Sequence, residues 1–384
     1  MRQYDFDPVI CRENTCSIKN DVRDCSDMLC MWVADMDFAV AEPISDAIKT
    51  RACHPIYGYS YIPDTLFQSV SAWYLKRQGI LYDPTLILPY YSVVSAISLT
   101  LLALTKEGDG VTIMAPTYMN FPPAVEGVKR VIHYCPLINN NGIYEVDFVQ
   151  FEACLAKSKV FLHCSPHNPS GRVWTLSEQV RMAELCEKHH VLVISDEIHS
   201  DLIMPGYKHI PFLIAYPKAK EFTVTMLSAT KTFNLAHNGM AFIMPITNQR
   251  HHQIKSLMDS MHLGSMNIFA TTAVNAAYEA GEEWLDQVLA YIYKNYLHIK
   301  NTVETHYPKI KILPLEGTYL MWFDCRKLGI PVTELFEKAG HILGEDGILF
   351  GPHGKGYYRL NIATSRIIID EMLHRLDKAY HTHF

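Results

Sequence analysis

The sequence lacks the cysteine patterns that mark zinc sites and disulfide frameworks. Its ten cysteines are scattered along 384 residues, and no two of them form a C-x-x-C pair. Four crowd the N-terminal region (Cys11, Cys16, Cys25 and Cys30), but their spacing matches no standard zinc pattern. We therefore expect no metal, and reduced thiols in a cytoplasmic protein are the simpler interpretation.

Long runs of one charge are lacking as well. Lysine and arginine number 34 and aspartate and glutamate number 40, which gives a formal net charge of −6. Nucleic acids and anionic membranes bind clustered positive charge. We therefore expect neither as a partner of this protein.

Membrane and export signals are also missing. The N-terminus has no basic region followed by an apolar stretch, so we expect no signal peptide. The uncharged stretch from residue 84 to residue 105 is long enough to span a bilayer. It contains Pro84, Pro89 and several Ser and Thr, however, and no basic or aromatic flank supports insertion. We expect a strand that leads into a buried helix there.

Short apolar runs of strand length are the main feature that is present. With 49% hydrophobic residues the chain has ample material for a large core in one or two domains. The helical pattern Leu176–His189 lies between two of the runs, and such alternation predicts a mostly parallel sheet with helices on both faces. The runs are Val111–Met114, Val160–His163, Val191–Ser195, Thr223–Leu227 and Ala241–Met244.

The C-terminal part has a different pattern. Trp284–Tyr307 is typical of one long helix, and short strands are expected near Ile310–Leu313, Thr318–Phe323 and Tyr357–Ile362, before a closing helix. We predict a smaller α+β domain built from residues 1–44 and 286–384, beside a large domain of residues 45–285.

Polar side chains follow three of the predicted strands. Asn168, Asp196 and Lys231 each come shortly after a separate apolar run. Because ligands bind at the carboxyl ends of parallel strands, we expect the amide, the carboxylate and the lysine to converge on one ligand.

Three motifs carry a resemblance to a known family. They are Asn168-Pro169-Ser170-Gly171, Asp196-Glu197-Ile198-His199 and Ser228-Ala229-Thr230-Lys231, with 28 residues from Asn168 to Asp196 and 35 from Asp196 to Lys231. In order and spacing they resemble fold-type I enzymes that depend on pyridoxal 5′-phosphate (PLP), the aspartate aminotransferase superfamily. The resemblance implies an α/β, fold-type I PLP-dependent transferase fold, with PLP as cofactor.

Further segments extend the resemblance over nearly the whole chain. They are most similar to the MalY/PatB-like cystathionine β-lyase (C–S lyase) branch, which includes cystalysin. These segments are Trp32–Phe38, Ser165–Trp174, Ser195–Tyr207 and Lys231–Asn234.

The resemblance implies a role for each of four residues around the cofactor ring. Lys231 would form the Schiff base and then remove the Cα proton, and Asp196 would pair with the pyridine nitrogen. Asn168 would hold the phenolate oxygen, although a turn role before a proline is compatible with it. Tyr118 would stack on the ring, and a core tyrosine is the alternative.

It also implies roles at the two ends of the site. Ser228 and the backbone N–H groups of Val93 and Val94 would hold the phosphate. Tyr59 would reach the phosphate of the neighbouring subunit, which implies a homodimer, although Tyr57 and Tyr61 are near competitors for this role.

Two further residues complete the set of predicted site residues. Arg359 would bind the substrate α-carboxylate with its charged fork. His199 stands where aminotransferases often carry tyrosine, and either a place beside the phenolate oxygen or a packed position behind it is compatible with the sequence.

The sequence departs from the family pattern at the phosphate end. Relatives usually have glycine where Ser92 stands, glycine at His237 and an apolar residue at Asn238. The position of a phosphate-binding arginine in aspartate aminotransferases is Gly239, so other groups must bind the phosphate. A bulky residue at 237 could change substrate fit or rate.

Three functions are compatible with these residues. A C–S β-lyase would cleave L-cystathionine, cystine or cysteine by α,β-elimination to a thiol, pyruvate and ammonia. A class I/II aminotransferase would use the same site, because both reactions begin by removing the Cα proton. A regulatory protein-binding role on the same scaffold is the third hypothesis, but no sequence feature marks such a surface.

Overall fold

Strands and helices alternate along the chain in the computed structural model, which describes residues 2–22 and 27–384. Cys25, one of the N-terminal cysteines, lies outside the described residues. The helices are α1 Ile18–Asp21, α2 Glu42–Ala52, α3 Asp64–Gln78, α4 Val93–Leu104, α5 Phe121–Glu126, α6 Phe148–Leu155, α7 Leu176–Lys188, α8 Phe212–Ala215, α9 Ala229–Thr232, α10 Asn248–Ser260, α11 Ile268–Ala280, α12 Glu282–His306 and α13 Arg366–His383. The strands are β1 Leu29–Cys30, β2 Leu88–Tyr90, β3 Gly110–Ala115, β4 Val131–Asn140, β5 Ile143–Val146, β6 Val160–Cys164, β7 Leu192–Asp196, β8 Thr223–Ser228, β9 Ala241–Met244, β10 Lys311–Ile312, β11 Leu320–Asp324, β12 Ile342–Leu343, β13 Glu345–Asp346 and β14 Tyr357–Asn361.

An eight-stranded sheet forms the centre of the molecule, in the order β2-β9-β8-β7-β6-β3-β4-β5. The five strands from β8 to β4 are parallel, and β9, β2 and β5 add antiparallel pairs at the edges. Every residue of β3, β6, β8 and β9 is buried, as expected for strands covered on both faces. The predicted mostly parallel α/β sheet is confirmed, and all five apolar runs are strands within it.

The strands that carry the predicted site residues are neighbours. Strands β6, β7 and β8 lie side by side, and Cys164 pairs with Asp196, which in turn pairs with Met226. Strands β6 and β7 therefore end level with one another, and β8 ends two residues further on, at Ser228. This register brings the segments after β6 and β8 to the same edge of the sheet as Asp196.

The uncharged stretch from residue 84 to residue 105 is confirmed as a strand followed by a buried helix. Strand β2 pairs with β9, and α4 buries Val93, Ala96, Ile97, Leu99 and Leu101 in the core. Across the residues that the structure describes, no helix combines the length and the apolar character needed to cross a membrane.

A second sheet is formed by the C-terminal part, in the antiparallel order β10-β11-β14-β13. Strand β1 joins the N-terminal region to this part, because it pairs in parallel with β12. The predicted long helix is α12, which has 25 residues and buries Trp284 and Leu285 near its start. The domain boundaries at residues 44 and 285 stay a prediction.

The sequence reading missed the hairpin of β4 and β5 at the edge of the large sheet. The turn between these strands is Asn141-Gly142, with φ of +52° and +98°. Asparagine followed by glycine is the common signal for a two-residue hairpin turn with positive φ, and it was present in the sequence.

A buried ion network fastens the loop that carries Asn168 to the segment before β11. Arg172 Nη1 donates to Glu316 Oε2 at 2.9 Å, and Arg172 Nη2 donates to both carboxylate oxygens of Glu178 at 2.9 Å. Gly171 O accepts from the backbone N–H of Gly317 at 2.9 Å. The two segments are thus held by charged and backbone hydrogen bonds together.

We expect Glu316→Gln to lower the free energy of unfolding by about 2–3 kcal/mol, because it removes a charge from a buried pair and leaves Glu178 as the one carboxylate that pairs with Arg172 among the described residues. The matched control is Glu107→Gln, which breaks the exposed pair with Lys129 and should cost less than about 0.5 kcal/mol. Urea unfolding followed by circular dichroism measures both. Equal effects of the two changes would contradict a stabilising role for the Arg172 network.

Candidate active site

A cavity of about 160 Å³ lies at the carboxyl ends of the parallel strands. Seven of the predicted site residues line it, and they come from five separate parts of the chain. The lining residues are Ala34, Tyr91, Ser92, Val93, Val94, Tyr118, Cys164, Asn168, Asp196, Ile198, His199, Thr230, Lys231 and Ala236.

Lys231 lies in the short helix α9, three residues after the end of β8. Its Nζ donates to Ala34 O at 2.7 Å. Burial lowers the pKa of Lys231 to about 8, with Arg359 lowering it further and Asp35 and Asp196 opposing the shift. A substantial fraction of the amine is therefore neutral near pH 8, and the neutral amine is the nucleophilic form.

Asp196 is the last residue of β7 and is almost completely buried. Its Oδ1 accepts from Ile198 N at 3.1 Å. Burial raises the pKa of this carboxyl to about 7, and the nearby charge of Lys231 acts in the opposite direction. A protonated ring nitrogen bound in the cavity would add a positive charge that offsets the cost of burying this carboxylate.

Arg359 lies in β14 and orients Asn168. Its Nη1 donates to Asn168 Oδ1 at 3.1 Å, so the Asn168 amide nitrogen is free to donate to a ring oxygen in the cavity. Arg359 Nη2 donates to Glu345 Oε2 at 3.3 Å and to Trp32 O at 3.1 Å. Within the described part of the chain no group accepts a hydrogen bond from the buried Arg359 Nε. The guanidinium therefore retains a donor for a bound carboxylate.

Tyr118 and His199 complete the wall of the cavity around these groups. The Tyr118 hydroxyl accepts from Asn120 Nδ2 at 2.8 Å. Burial lowers the pKa of His199 to about 3, and the charges of Lys231 and Arg359 add to the shift. The imidazole is therefore neutral at physiological pH and is able to donate one hydrogen bond. His199 lines the cavity, and a place beside the phenolate oxygen stays a prediction.

The N-terminus of α4 lines one end of the cavity, where the sequence predicts the phosphate, and this end is called the phosphate end below. Ser92 begins the helix as its N-cap, because its Oγ accepts from Ser95 N at 3.2 Å. The N–H groups of Val93 and Val94 precede the first hydrogen bond of the helix, which runs from Ala96 N to Ser92 O. Such amides have no partner within a helix and favour an anion. Serine in place of the usual glycine is thus compatible with the predicted anion site, because it begins the helix at the same point.

Thr230 rather than Ser228 lines the cavity at this end. The Ser228 hydroxyl donates to Met240 O at 2.8 Å and accepts from Thr230 N at 3.1 Å, so it caps α9. A phosphate contact of Ser228 stays a prediction. The sequence reading missed Thr230, although its hydroxyl lies one residue before the lysine.

Gly239 has a steric reason to be glycine. A Cβ at this position would lie 2.3 Å from Thr230 Cγ2 and 2.6 Å from Leu235 O. An arginine therefore does not fit here with this backbone. His237 is exposed, whereas the preceding residue, Ala236, lines the cavity. The bulky side chain of His237 therefore lies at the rim of the site rather than in its interior.

The segment of residues 32–38 forms a wall that the sequence reading did not assign to the site. Ala34 O accepts from Lys231 Nζ and also from the Tyr319 hydroxyl, at 2.9 Å. Asn234 holds the same segment by donating to Met36 O at 3.0 Å and accepting from Met36 N at 2.9 Å. The available signal was Asn234 itself, three residues after the lysine within a motif of the family.

Tyr59 takes no part in the cavity of its own chain. Its side chain is fully exposed, as is most of Tyr61. Tyr57 is different, because its hydroxyl donates to Ala52 O at 2.8 Å and its ring packs 5.5 Å from Phe269. Of the three competing tyrosines, Tyr57 is therefore engaged within its own chain.

The residues present fit PLP. The cavity combines Lys231, whose lowered pKa favours the neutral amine, with the buried carboxylate of Asp196, which suits a cationic nitrogen. It also holds the oriented amide of Asn168 and the N-terminus of α4, which suits a phosphate. These are the groups that would hold the ring and the phosphate of the cofactor.

Comparisons with known proteins agree with this geometry. The model of the aminotransferase class I and II family matches residues 33–376. Cystathionine beta-lyase PatB of Bacillus subtilis (strain 168) is 38% identical over 360 residues, which cover 92% of this chain and 93% of that protein. Protein MalY of Escherichia coli (strain K12) is 32% identical over 375 residues, which cover 94% and 95%. The solved structure of cystalysin from Treponema denticola, which contains PLP, matches with a TM-score of 0.95 and 31% identity, over 99% of this chain and 100% of that one.

We expect Asp196→Asn to stabilise the protein without PLP at pH 8. Burial raises the pKa of Asp196 from the usual 3.8 of an aspartate to about 7. The contribution of this carboxyl to stability is therefore fully present below pH 3.8 and is lost as the pH rises to about 7. The asparagine does not titrate, so its advantage should grow from pH 4 to pH 7, to an upper limit on the order of 4 kcal/mol, and then level off.

Thermal melts with and without PLP measure this effect. With PLP bound the order should reverse, because the wild-type carboxylate then faces a cationic nitrogen. Asp83→Asn, at an exposed carboxylate outside the site, is the control. An advantage of Asp196→Asn that does not change with pH would contradict this assignment.

Proposed function

This chain belongs to the aminotransferase class I and II family, and we propose that it is a C–S β-lyase that cleaves L-cystathionine and cysteine-type substrates to a thiol, pyruvate and ammonia. It is a PLP-dependent enzyme. The observation that carries the proposal is the buried Lys231 amine at the cavity, together with Asp196 and Asn168, in a chain that is similar over nearly its whole length to a cystathionine beta-lyase.

PLP, when bound, draws electrons away from the Cα of an amino acid and so makes the Cα proton acidic. Asp196 would keep the ring nitrogen protonated, and the Asn168 amide would donate to the ring oxygen. The N–H groups of Val93 and Val94 and the Thr230 hydroxyl would hold the phosphate. These contacts fix the plane in which the Cα–H bond is broken.

Lys231 has two tasks in this arrangement. Its amine would hold the cofactor, and its neutral Nζ would accept the Cα proton of the substrate. The lowered pKa of about 8 favours that neutral form. Arg359 would bind the α-carboxylate, and its hydrogen bonds to Asn168 and Glu345 keep the fork in place.

An aminotransferase is the second candidate, which the family model favours. In both reactions Lys231 takes the Cα proton. The two reactions differ in the next step. An aminotransferase would return the proton to a different atom, whereas a lyase would release a thiolate from Cβ. The residues around Lys231 are compatible with both outcomes, so product analysis separates them.

The test is pyruvate release from L-cystathionine by the PLP-loaded protein without any 2-oxo acid. Lys231→Ala should lower kcat by about a thousandfold or more, because it removes the group that both binds PLP and moves the proton. The matched control is Lys129→Ala, at an exposed lysine, which should keep full activity. Turnover only with a 2-oxo acid would identify an aminotransferase, and a protein that binds no PLP would overturn the assignment. Binding to another protein that Lys231→Ala leaves intact would reveal a regulatory role.

The proposal includes a homodimer in which Tyr59 completes the neighbouring site. Ile56, Tyr59 and Tyr61 are exposed in one segment, and exposed apolar groups of this kind mark protein interfaces. Tyr91, at the cavity, is half-exposed and would lie close to such an interface. A cytoplasmic location is part of the same proposal, supported by the free thiols of the described cysteines.

We expect two inactive variants to restore each other if the site is shared. In a heterodimer of Tyr59→Ala with Lys231→Ala, one site has both Lys231 and the Tyr59 of the other subunit. Random subunit exchange should therefore give about a quarter of wild-type activity. The assay uses a PLP concentration at which Tyr59→Ala alone is inactive.

The control pairs Lys231→Ala with Tyr57→Ala, whose hydroxyl bonds within its own chain. Tyr57→Ala should be active by itself, so mixing adds nothing. No recovery with Tyr59→Ala, in a mixture shown to contain heterodimers, would contradict the shared site.

A further inference from the structure

Two cysteines that are 19 residues apart in the sequence are brought together beside the active-site sheet. Cys135 lies in β4 and Cys154 lies in α6, which packs on that strand. Both contribute to the same hydrophobic cluster. Cys154 Sγ lies 3.5 Å from Tyr134 O, the carbonyl of the peptide bond that leads into Cys135.

The environments of the two thiols differ. Cys135 is completely buried, whereas Cys154 is partly exposed. A hydrogen bond between the two thiols lowers the pKa of Cys154, burial opposes the shift and the charge of Lys157 supports it. The same hydrogen bond raises the pKa of Cys135, and burial adds to it. Cys154 is thus the more accessible of the two thiols and the one that ionises more easily, and the buried thiol of Cys135 lies beside it.

We propose that Cys135 and Cys154 are a redox pair that closes to a reversible disulfide when a hydroperoxide oxidises Cys154. Sensor cysteines of this kind are accessible, have thiolate character and lie next to a second cysteine that resolves the oxidised form. This site lies outside the cavity, so the proposal does not depend on the proposed reaction.

The reaction balances with hydrogen peroxide as the oxidant. The Cys154 thiolate attacks one peroxide oxygen, an S–O bond forms and the O–O bond breaks, and the hydroxide that leaves takes a proton to become water. Cys135 sulfur then attacks Cys154 sulfur, so that the S–S bond forms and the S–O bond breaks. The second hydroxide leaves with the Cys135 proton as water. The two sulfurs lose two electrons in all, and the peroxide is reduced to two waters.

Other cysteines provide internal comparisons. Cys186 is buried in the core, where burial raises the pKa of its thiol, so it is expected to be inert. Cys11, Cys16 and Cys53 are exposed, and they report ordinary surface oxidation in the same sample.

The large sheet connects the two cysteines to the active site. Cys135 is the register partner of Met114 in β3, four residues before Tyr118. A disulfide between β4 and α6 would therefore fix β4, the neighbour of β3, and β3 is the strand that leads to Tyr118 in the cavity wall. The location makes oxidation measurable in the PLP-loaded enzyme as it stands.

The experiment treats the PLP-loaded enzyme with hydrogen peroxide, blocks the remaining thiols and maps the peptides without reduction. We expect one linked pair that contains Cys135 and Cys154, is lighter by two hydrogen atoms and separates on treatment with dithiothreitol. Linking should become faster as the pH rises, because the thiolate of Cys154 is the attacking form.

Variants assign the two roles. In Cys135→Ser the sulfenic acid of Cys154 has no resolving thiol and should be trapped by dimedone, whereas Cys154→Ser should leave Cys135 reduced. Cys186→Ser is the matched control at another buried cysteine and should link as the wild type does.

A wild-type protein in which dimedone labels Cys154 and no linked peptide forms would overturn the proposal. So would oxidation confined to Cys11, Cys16 and Cys53. Both results come from the wild-type chain, so a variant that fails to fold does not affect them.

Discussion

The register of β6, β7 and β8 is the constraint on which the active site depends. Because Cys164, Asp196 and Met226 pair across these strands, β6 and β7 end at the same height and β8 ends two residues beyond it. The amide of Asn168, the carboxylate of Asp196 and the amine of Lys231 therefore reach one cavity from three separate stretches of sequence. A shift of one residue in any strand would turn its side chains to the other face and separate the groups.

Burial of charge then gives these groups their chemistry. Burial of these groups away from solvent raises the pKa of Asp196, lowers the pKa of Lys231 and keeps His199 neutral. Each shift has burial as its largest cause, and the mutual charges of the site modify it. The cavity thus holds a reactive amine and a carboxylate that gains from a cationic ligand, although neither group is unusual by residue type.

Much of the large sheet was predictable because its strands are buried on both faces. Short continuous apolar runs such as Val160–His163 and Ala241–Met244 are typical of strands covered on both faces, and each is a strand of the sheet. The hairpin of β4 and β5 was missed because it lies at an edge, where partly exposed strands carry no continuous apolar run. The roles of Ala34 and Thr230 were missed because a backbone carbonyl and a common hydroxyl carry no signal until their neighbours in space are known.

The sequence by itself indicated the α/β fold class and the order of the motifs, because apolar runs and motif spacing are local properties of the chain. The roles of Lys231, Asp196, Asn168 and Arg359 are implied by the family resemblance and stay predictions. Only the tertiary structure decided which hydroxyl faces the phosphate end, how Arg359 orients Asn168, and that Cys135 meets Cys154. These facts depend on contacts between residues far apart in the chain. Contacts of that kind are set by how helices and strands pack, which no local pattern specifies.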